Sequence, residues 1–313
     1  MRQNGSLFLT LRQRQSNTQH TVADRPILLS AAMIVKDEEK YLPGCLESLV
    51  DLVDEIVIVD TGSTDRTVEI AKSYGARVLH SKWRNDFSYH RNEAIAAAKG
   101  LWIFICDADE VVVDTDVNET RFHLEHSPLN PILMATQRLL YPDGKKINML
   151  APRIFRSDLN IRYTYPIHEQ LDVDETSATL SNVTLLHRGY EDEETLEAKE
   201  RRNLEIAMTM EDSPHASHCR ARAALSLRDW QKVVEAAHGL TGDKVPTAVC
   251  VEGCVLGAAA SFNLSNRDDF NLFLEAARKR VPDSPDVRFM ELILAGQKYL
   301  ESLSTVLTIS SSR

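Results

Sequence analysis

An α/β fold is what this sequence predicts: a doubly wound, mostly parallel sheet followed by an all-α region of helical hairpins. Three observations predict it. Short, almost wholly apolar runs recur at 27–35, 55–60 and 101–106, the signature of strands buried on both faces of a parallel sheet. The segments between them carry apolar residues at helical spacing, so strand and helix alternate from 27 to 107. Beyond residue 190 the strand-like runs stop and the remaining chain has helical spacing.

The elements follow in order. The first 25 residues are polar, Gln-rich and basic, and their one apolar patch, Leu7-Phe8-Leu9, is too short for a signal segment, so a disordered arm is expected. Ile27 to Val35 is the first strand, and a helix after it carries Leu42, Cys45, Leu46, Leu49 and Val50. Glu55 to Asp60 is the second strand. The turn Thr61 to Thr67 opens the next helix, with Ser63 or Thr64 as its expected cap, and Gly75 closes it. A short strand, Arg77 to His80, and a helix over about Tyr89 to Ala98 lead into Leu101 to Cys106. From Val111 to Tyr190 the alternation is lost. Ile132 to Tyr141 and Ile147 to Phe155 read as antiparallel strands joined by the turn Tyr141-Pro142-Asp143-Gly144, and Leu180 to His187 as another strand. In the helical region Leu227-Arg228-Asp229-Trp230 recurs as Arg267-Asp268-Asp269-Phe270, an offset of forty residues. Three units are therefore expected: an arm over 1–25, a catalytic domain over 26–190 and a helical domain over 191–313.

Composition narrows the function. A net charge of −10 over 313 residues argues against non-specific nucleic-acid binding and against a polybasic membrane tether. No stretch has the length and apolarity of a membrane span, and five cysteines without framework spacing point to a reducing, cytoplasmic setting. Cys250 and Cys254 have no second Cys/His pair to complete a zinc site and are assigned to core packing. In open α/β sheets ligands sit beyond the carboxyl ends of the strands, where Asp60, Asp107, Asp109 and Glu110 fall. If the chain stays extended there, Asp107 and Asp109 point the same way. Two carboxylates side by side call for a cation, and a divalent ion carrying a diphosphate suits hard oxygen ligands.

Seven stretches in order carry a resemblance: Met33 to Glu39, Val59 to Thr67, Trp83 to Phe87, Arg91-Asn92, Asp107 to Glu110, His168-Glu169 and His187 to Tyr190. Together they resemble the family 2 glycosyltransferases of GT-A fold, in particular the branch with a tetratricopeptide-like C-terminus. The resemblance implies sugar transfer from a nucleotide diphosphate donor, usually UDP-linked, with inversion and with Mn²⁺ or Mg²⁺. It implies that Val35 and Asp60 hold the nucleoside, Arg91 the base or diphosphate, Asp107 the ribose or a metal-bound water, and Asp109 the metal. His187 is similar in place to a histidine that ligates metal or diphosphate in relatives. Inversion needs a base on the acceptor side. Glu169 fits that place, with Asp172 and Asp174 as competitors. Relatives have a small residue where this chain has His90, which either alters the donor pocket or points outward. The acceptor, a glycan, a lipid-linked intermediate, a peptide side chain or a small molecule, is left open, as is a homo-oligomer formed through the helical region. Two alternatives differ in class. A nucleotidyltransferase would share the sheet edge but needs a glycine- and lysine-rich loop where Lys36-Asp37-Glu38-Glu39 stands. A catalytically silent scaffold, binding a partner through its helices, is opposed by the intact Asp60, Asp107, Asp109 and Glu169.

Overall fold

The computed structural model describes residues 26–126, 131–141, 143–173, 178–189 and 193–296. The expected arm over 1–25, and Pro142, Asp174 and Tyr190, lie outside the described residues. The strands are β1 (Leu29–Val35), β2 (Glu55–Asp60), β3 (Arg77–His80), β4 (Trp102–Ile105), β5 (Glu110–Val113), β6 (Ile132–Leu140), β7 (Lys146–Arg156), β8 (Tyr163–Thr164), β9 (Gln170–Leu171) and β10 (Thr179–His187). Helices α1 (Leu42–Leu49), α2 (Thr67–Ser73) and α3 (Phe87–Ala97) fill the crossovers, and α4 (Val117–His126) follows β5.

The main sheet runs β3-β2-β1-β4-β7-β6-β10-β5. Its first four strands pair in parallel, and β4 then meets β7 antiparallel. The β6–β10 pair is parallel, whereas β6–β7 and β10–β5 are antiparallel. Strands β1, β2 and β4 of the parallel half are almost wholly inaccessible, as their nearly unbroken apolar sequence requires, whereas β3 at the sheet's edge is only half-buried. One face packs on α1, α2 and α4 through Leu42, Leu46, Ala71 and Leu124, and the other on α3 through Ala94 and Ile95.

Some local expectations are corrected. Val50 is 51% exposed because α1 ends at Leu49 and only Leu42, Cys45, Leu46 and Leu49 reach the core. Ser63 and Thr64 do not cap α2. Instead the two loops after β1 and β2 bond to each other: Asp37 N–H donates to Ser63 Oγ at 3.0 Å and Glu38 N–H to Thr67 Oγ1 at 2.7 Å. Thr64 N–H donates back to Asp37 Oδ1 at 2.7 Å, and Arg66 N–H to Glu39 Oε2 at 3.1 Å. The polar motifs after β1 and β2 thus knit two strand ends into one rim. β5 and α4, unannounced by the sequence pattern, occupy part of the stretch where alternation was expected to fail.

The helical region holds α5 (Glu193–Thr209), α6 (Pro214–Ser226), α7 (Trp230–His238), α8 (Thr247–Asn263), α9 (Arg267–Arg280) and a further helical stretch over 285–296. Its repeat is real but offset differently. The α6–α7 and α8–α9 hairpins turn through left-handed residues, Arg228 (φ 57°) and Ser265 (φ 56°), each followed by a cap, Asp229 or Asn266. Those positions are 37 residues apart rather than forty. A slip of three returns a helix nearly to the same face, so apolar spacing alone does not fix the register, whereas the caps do. Gly257 lets α8 approach closely, since a Cβ there would lie 2.6 Å from the Phe273 ring. Cys250 and Cys254 are buried in this core, as expected. No helix among the described residues is long and apolar enough to cross a membrane.

Candidate active site

The strand ends and the first helix of the helical region enclose an open cleft of about 240 Å³. Asp107, Asp109, Glu169, His187 and Arg91 all line it, so five of the seven expected site residues come together. Val35 and Asp60 lie one strand further along, paired in register at the ends of β1 and β2.

The chain does not stay extended through the carboxylates. β4 ends at Ile105, and a turn closed by Glu110 N–H to the Asp107 carbonyl (3.0 Å) leads directly into β5. The two aspartates consequently have separate partners. Asp107 Oδ1 lies 2.8 Å from Arg91 Nη1 and its Oδ2 3.6 Å from Arg153 Nη1. Burial pushes this carboxyl up, but the two guanidinium groups outweigh it and hold it well below the usual range. Asp109 faces other groups: Lys199 Nζ on α5 at 2.9 Å from Oδ2, and His187 Nε2 at 3.6 Å from Oδ1. Gly189 makes this fit, because a Cβ there would stand 2.0 Å from Asp109 Oδ2 and 2.4 Å from Lys199 Nζ. Glu110, fully inaccessible, accepts from Arg153 Nη2 (2.8 Å), Gln137 Nε2 (2.6 Å) and Asp107 N–H (2.9 Å) and lies outside the cleft.

Arg91 is spent on organisation. Its Nε donates to Glu169 Oε1 at 2.6 Å while Nη1 holds Asp107, so one guanidinium spans the two walls. Its neighbour Asn92 treats the 163–169 loop as a strand would, donating from Nδ2 to the Tyr163 carbonyl and accepting from Tyr163 N–H, both at 2.9 Å. Asp86 caps α3 by accepting from Tyr89 N–H, and Phe87 N–H donates to the Pro166 carbonyl at 2.8 Å. The Asp86-Phe87 and Arg91-Asn92 motifs therefore place Glu169. His90 neither points outward nor lines the cleft: it is fully buried, stacked on Trp83 with ring centroids 5.2 Å apart. Asp60 accepts from Ser63 N–H at 3.1 Å and lies 3.1 Å from His80 Nδ1. Burial raises its carboxyl, but these hydrogen bonds win and leave it below the ordinary value.

A second group of cleft residues has no role assigned by the sequence, although Glu38 falls within Met33 to Glu39. Glu38 lines the cleft, and burial, followed by the charge of Asp109, pushes its carboxyl up to about 7. From α5 come Lys199, Glu200, Arg202 and Asn203, with the Arg202 guanidinium 4.9 Å above the Phe87 ring. The Glu169 loop also rests on the helices: Ile167 packs with Ile206, Ala207 and Cys219, and His215 Nε2 lies 3.0 Å from the Ile167 carbonyl. In the sequence Lys199 reads as one more charge on a solvated helix face.

The donor set suits a divalent ion only in part. Among the described residues no three His, Cys, Asp or Glu side chains converge as a metal cage. Asp109 and His187 do stand together, and burial lowers the pKa of His187, favouring the neutral ring that ligates. A carboxylate and an imidazole, completed by substrate oxygens and water in an open cleft, fit Mg²⁺ or Mn²⁺, which seldom takes an all-protein cage.

Residues 30–168 match the family model described as Glycosyl transferase family 2. A TPR repeat-containing protein of Synechococcus elongatus is 42% identical over 144 residues, covering 46% of this chain and 35% of that protein. The SPbeta prophage-derived glycosyltransferase SunS of Bacillus subtilis is 28% identical over 201 residues, covering 60% of this chain and 46% of SunS. The chain thus spans less than half the length of either curated relative. Among solved structures, S. aureus TarS 1–349 in complex with UDP-GlcNAc aligns with a TM-score of 0.47 at 17% identity, over 81% of this chain and 92% of that one.

Proposed function

We propose, on the premise that residues 30–168 match the family 2 glycosyltransferases, that the protein moves a sugar from a nucleotide diphosphate donor, UDP-linked, to an acceptor with inversion. One observation carries the proposal: Asp109, His187 and Glu169 open into a single cleft at the carboxyl ends of the parallel strands, with Arg91 joining its walls.

The nucleoside lies over the ends of β1 and β2, where Val35 and Asp60 adjoin, and Asp60 accepts from the base. Asp109 and His187 would hold a divalent ion, which when bound neutralises charge on the departing diphosphate. Asp107, clamped by Arg91 and Arg153, keeps the turn in shape and offers its remaining lone pairs to the ribose or to a bound water. On the acceptor side Glu169 takes the proton from the attacking group as that group bonds to the anomeric carbon and the bond to the diphosphate oxygen breaks. Arg91 Nε keeps the Glu169 carboxylate oriented for that transfer. Asp172 stands in the same chain segment but does not line the cleft, which favours Glu169.

The test is release of UDP from a panel of UDP-sugars with Mn²⁺ present, compared with EDTA and with Asp109→Ala. Release that requires both metal and Asp109 supports the proposal. Failure of every nucleotide sugar to bind, judged by thermal shift, would overturn it.

A further inference from the structure

The seat beside Asp109 that suits a metal is held by a side chain of the protein itself. Lys199 reaches in from α5 to place Nζ 2.9 Å from Asp109 Oδ2, and His187 Nε2 stands 3.6 Å from the other oxygen. The cleft also holds Glu38, Asp107, Glu169 and Glu200. Arg91 and Arg153 are committed to Asp107, Glu169 and Glu110, so neither lies on Asp109. The contact is closely fitted: Gly189 lies against both partners with no space for even a methyl group. Only a quarter of the Lys199 side chain is exposed, and the Asp109 side chain is nearly inaccessible.

We propose that Lys199 is a resident counter-ion that keeps the metal seat closed until a nucleotide diphosphate arrives. An ammonium and a divalent ion cannot share one partly buried carboxylate without strong repulsion. Metal entry therefore requires Lys199 to leave Asp109, and the ammonium then needs an anion strong enough to replace that contact. The diphosphate is that anion, and the flexible four-carbon stem lets the ammonium swing from carboxylate to phosphate. Metal and nucleotide consequently bind with positive coupling, each raising the affinity for the other. The inference rests on the metal-assisted mechanism above and adds to it a gate supplied by the helical region.

Mn²⁺ binding by the full chain, followed by electron paramagnetic resonance of the free ion, tests it without reference to turnover. Wild type, Lys199→Met and Lys199→Arg are titrated with Mn²⁺ alone and with Mn²⁺ plus UDP, after circular dichroism has shown that each variant is folded. Lys199→Gln replaces Lys199→Met if the latter is not. Lys199→Met should bind Mn²⁺ alone about tenfold more tightly than wild type, the scale of one partly buried ion pair, and should lose most of the gain that UDP confers. Lys199→Arg, which keeps a cation in the seat, should behave as wild type. Unchanged or weaker binding of Mn²⁺ alone by Lys199→Met, with Mn²⁺ and UDP still binding wild type together, overturns the gate and leaves the mechanism standing. No Mn²⁺ binding by any variant, with or without UDP, overturns both.

Discussion

The two walls of the cleft are built differently. One consists of strand ends, the turn at Asp107 and Asp109 and the rim knitted from the loops after β1 and β2. Its carboxylates sit on backbone that the sheet holds rigid. The other consists of α5 and the 163–169 loop resting on α6, where the charged groups ride on long side chains and the backbone is held by Ile167, Ile206, Ala207 and Cys219. The sheet wall can fix a charge in place, whereas the helical wall can move one. Removing a charge from the sheet wall should therefore abolish chemistry, and loosening the helical wall should only degrade it.

The largest expected effect belongs to the sheet wall. Asp109→Ala should lower metal-dependent sugar transfer roughly 10³-fold, since several kcal/mol of electrostatic help disappears, with the far-UV spectrum unchanged. A loss below tenfold would show that this carboxylate holds no metal. Glu169→Gln comes next and lies where the walls meet. It should reduce kcat by about 10²-fold or more while leaving the apparent affinity for the nucleotide sugar near wild type, because a general base acts in the transition state. Parallel losses in donor affinity would instead place Glu169 on the donor side.

His215→Ala addresses the helical wall alone. It removes the group beside the Ile167 carbonyl two residues before Glu169, and a small misplacement of the base should cost up to about tenfold in kcat. A loss as large as that of Glu169→Gln would erase the distinction between the walls. The smallest effect is on stability. Burial raises the Glu38 carboxyl to about 7 in the folded protein, above its ordinary 4.5. A raised carboxyl contributes stability that is fully present below about pH 4.5 and lost as pH rises through 7. Between pH 5 and 8 the melting temperature of wild type should therefore fall more than that of Glu38→Gln, whose side chain stays neutral. Equal slopes would mean that Glu38 is solvated.

The same division governs what the sequence alone discloses. Strands β1, β2 and β4 and the carboxylates beyond their ends are legible because burial on both faces leaves a nearly unbroken apolar run that stops where water or ligand begins. β5 leaves no separate signal, because Glu110 to Val113 is short and directly follows the carboxylates beyond the end of β4. α4 was invisible for another reason: only Thr120 and Leu124 of that helix are buried, too few to make a stripe. On the helical wall, nothing local separates Lys199 from the other charges on α5, since its partner lies 90 residues earlier in the chain. The Arg91 assignment shows the same limit. Its presence at the site was readable, but the two carboxylates that claim its guanidinium come from distant loops.

That double claim on Arg91 has a geometric consequence. Because Nη1 grips the turn after β4 and Nε grips the loop before β9, the guanidinium plane acts as a ruler of fixed length between the carboxylates of Asp107 and Glu169. A lysine, with a single nitrogen, cannot span that gap, so even the exchange of one cation for another would let the two carboxylates drift apart.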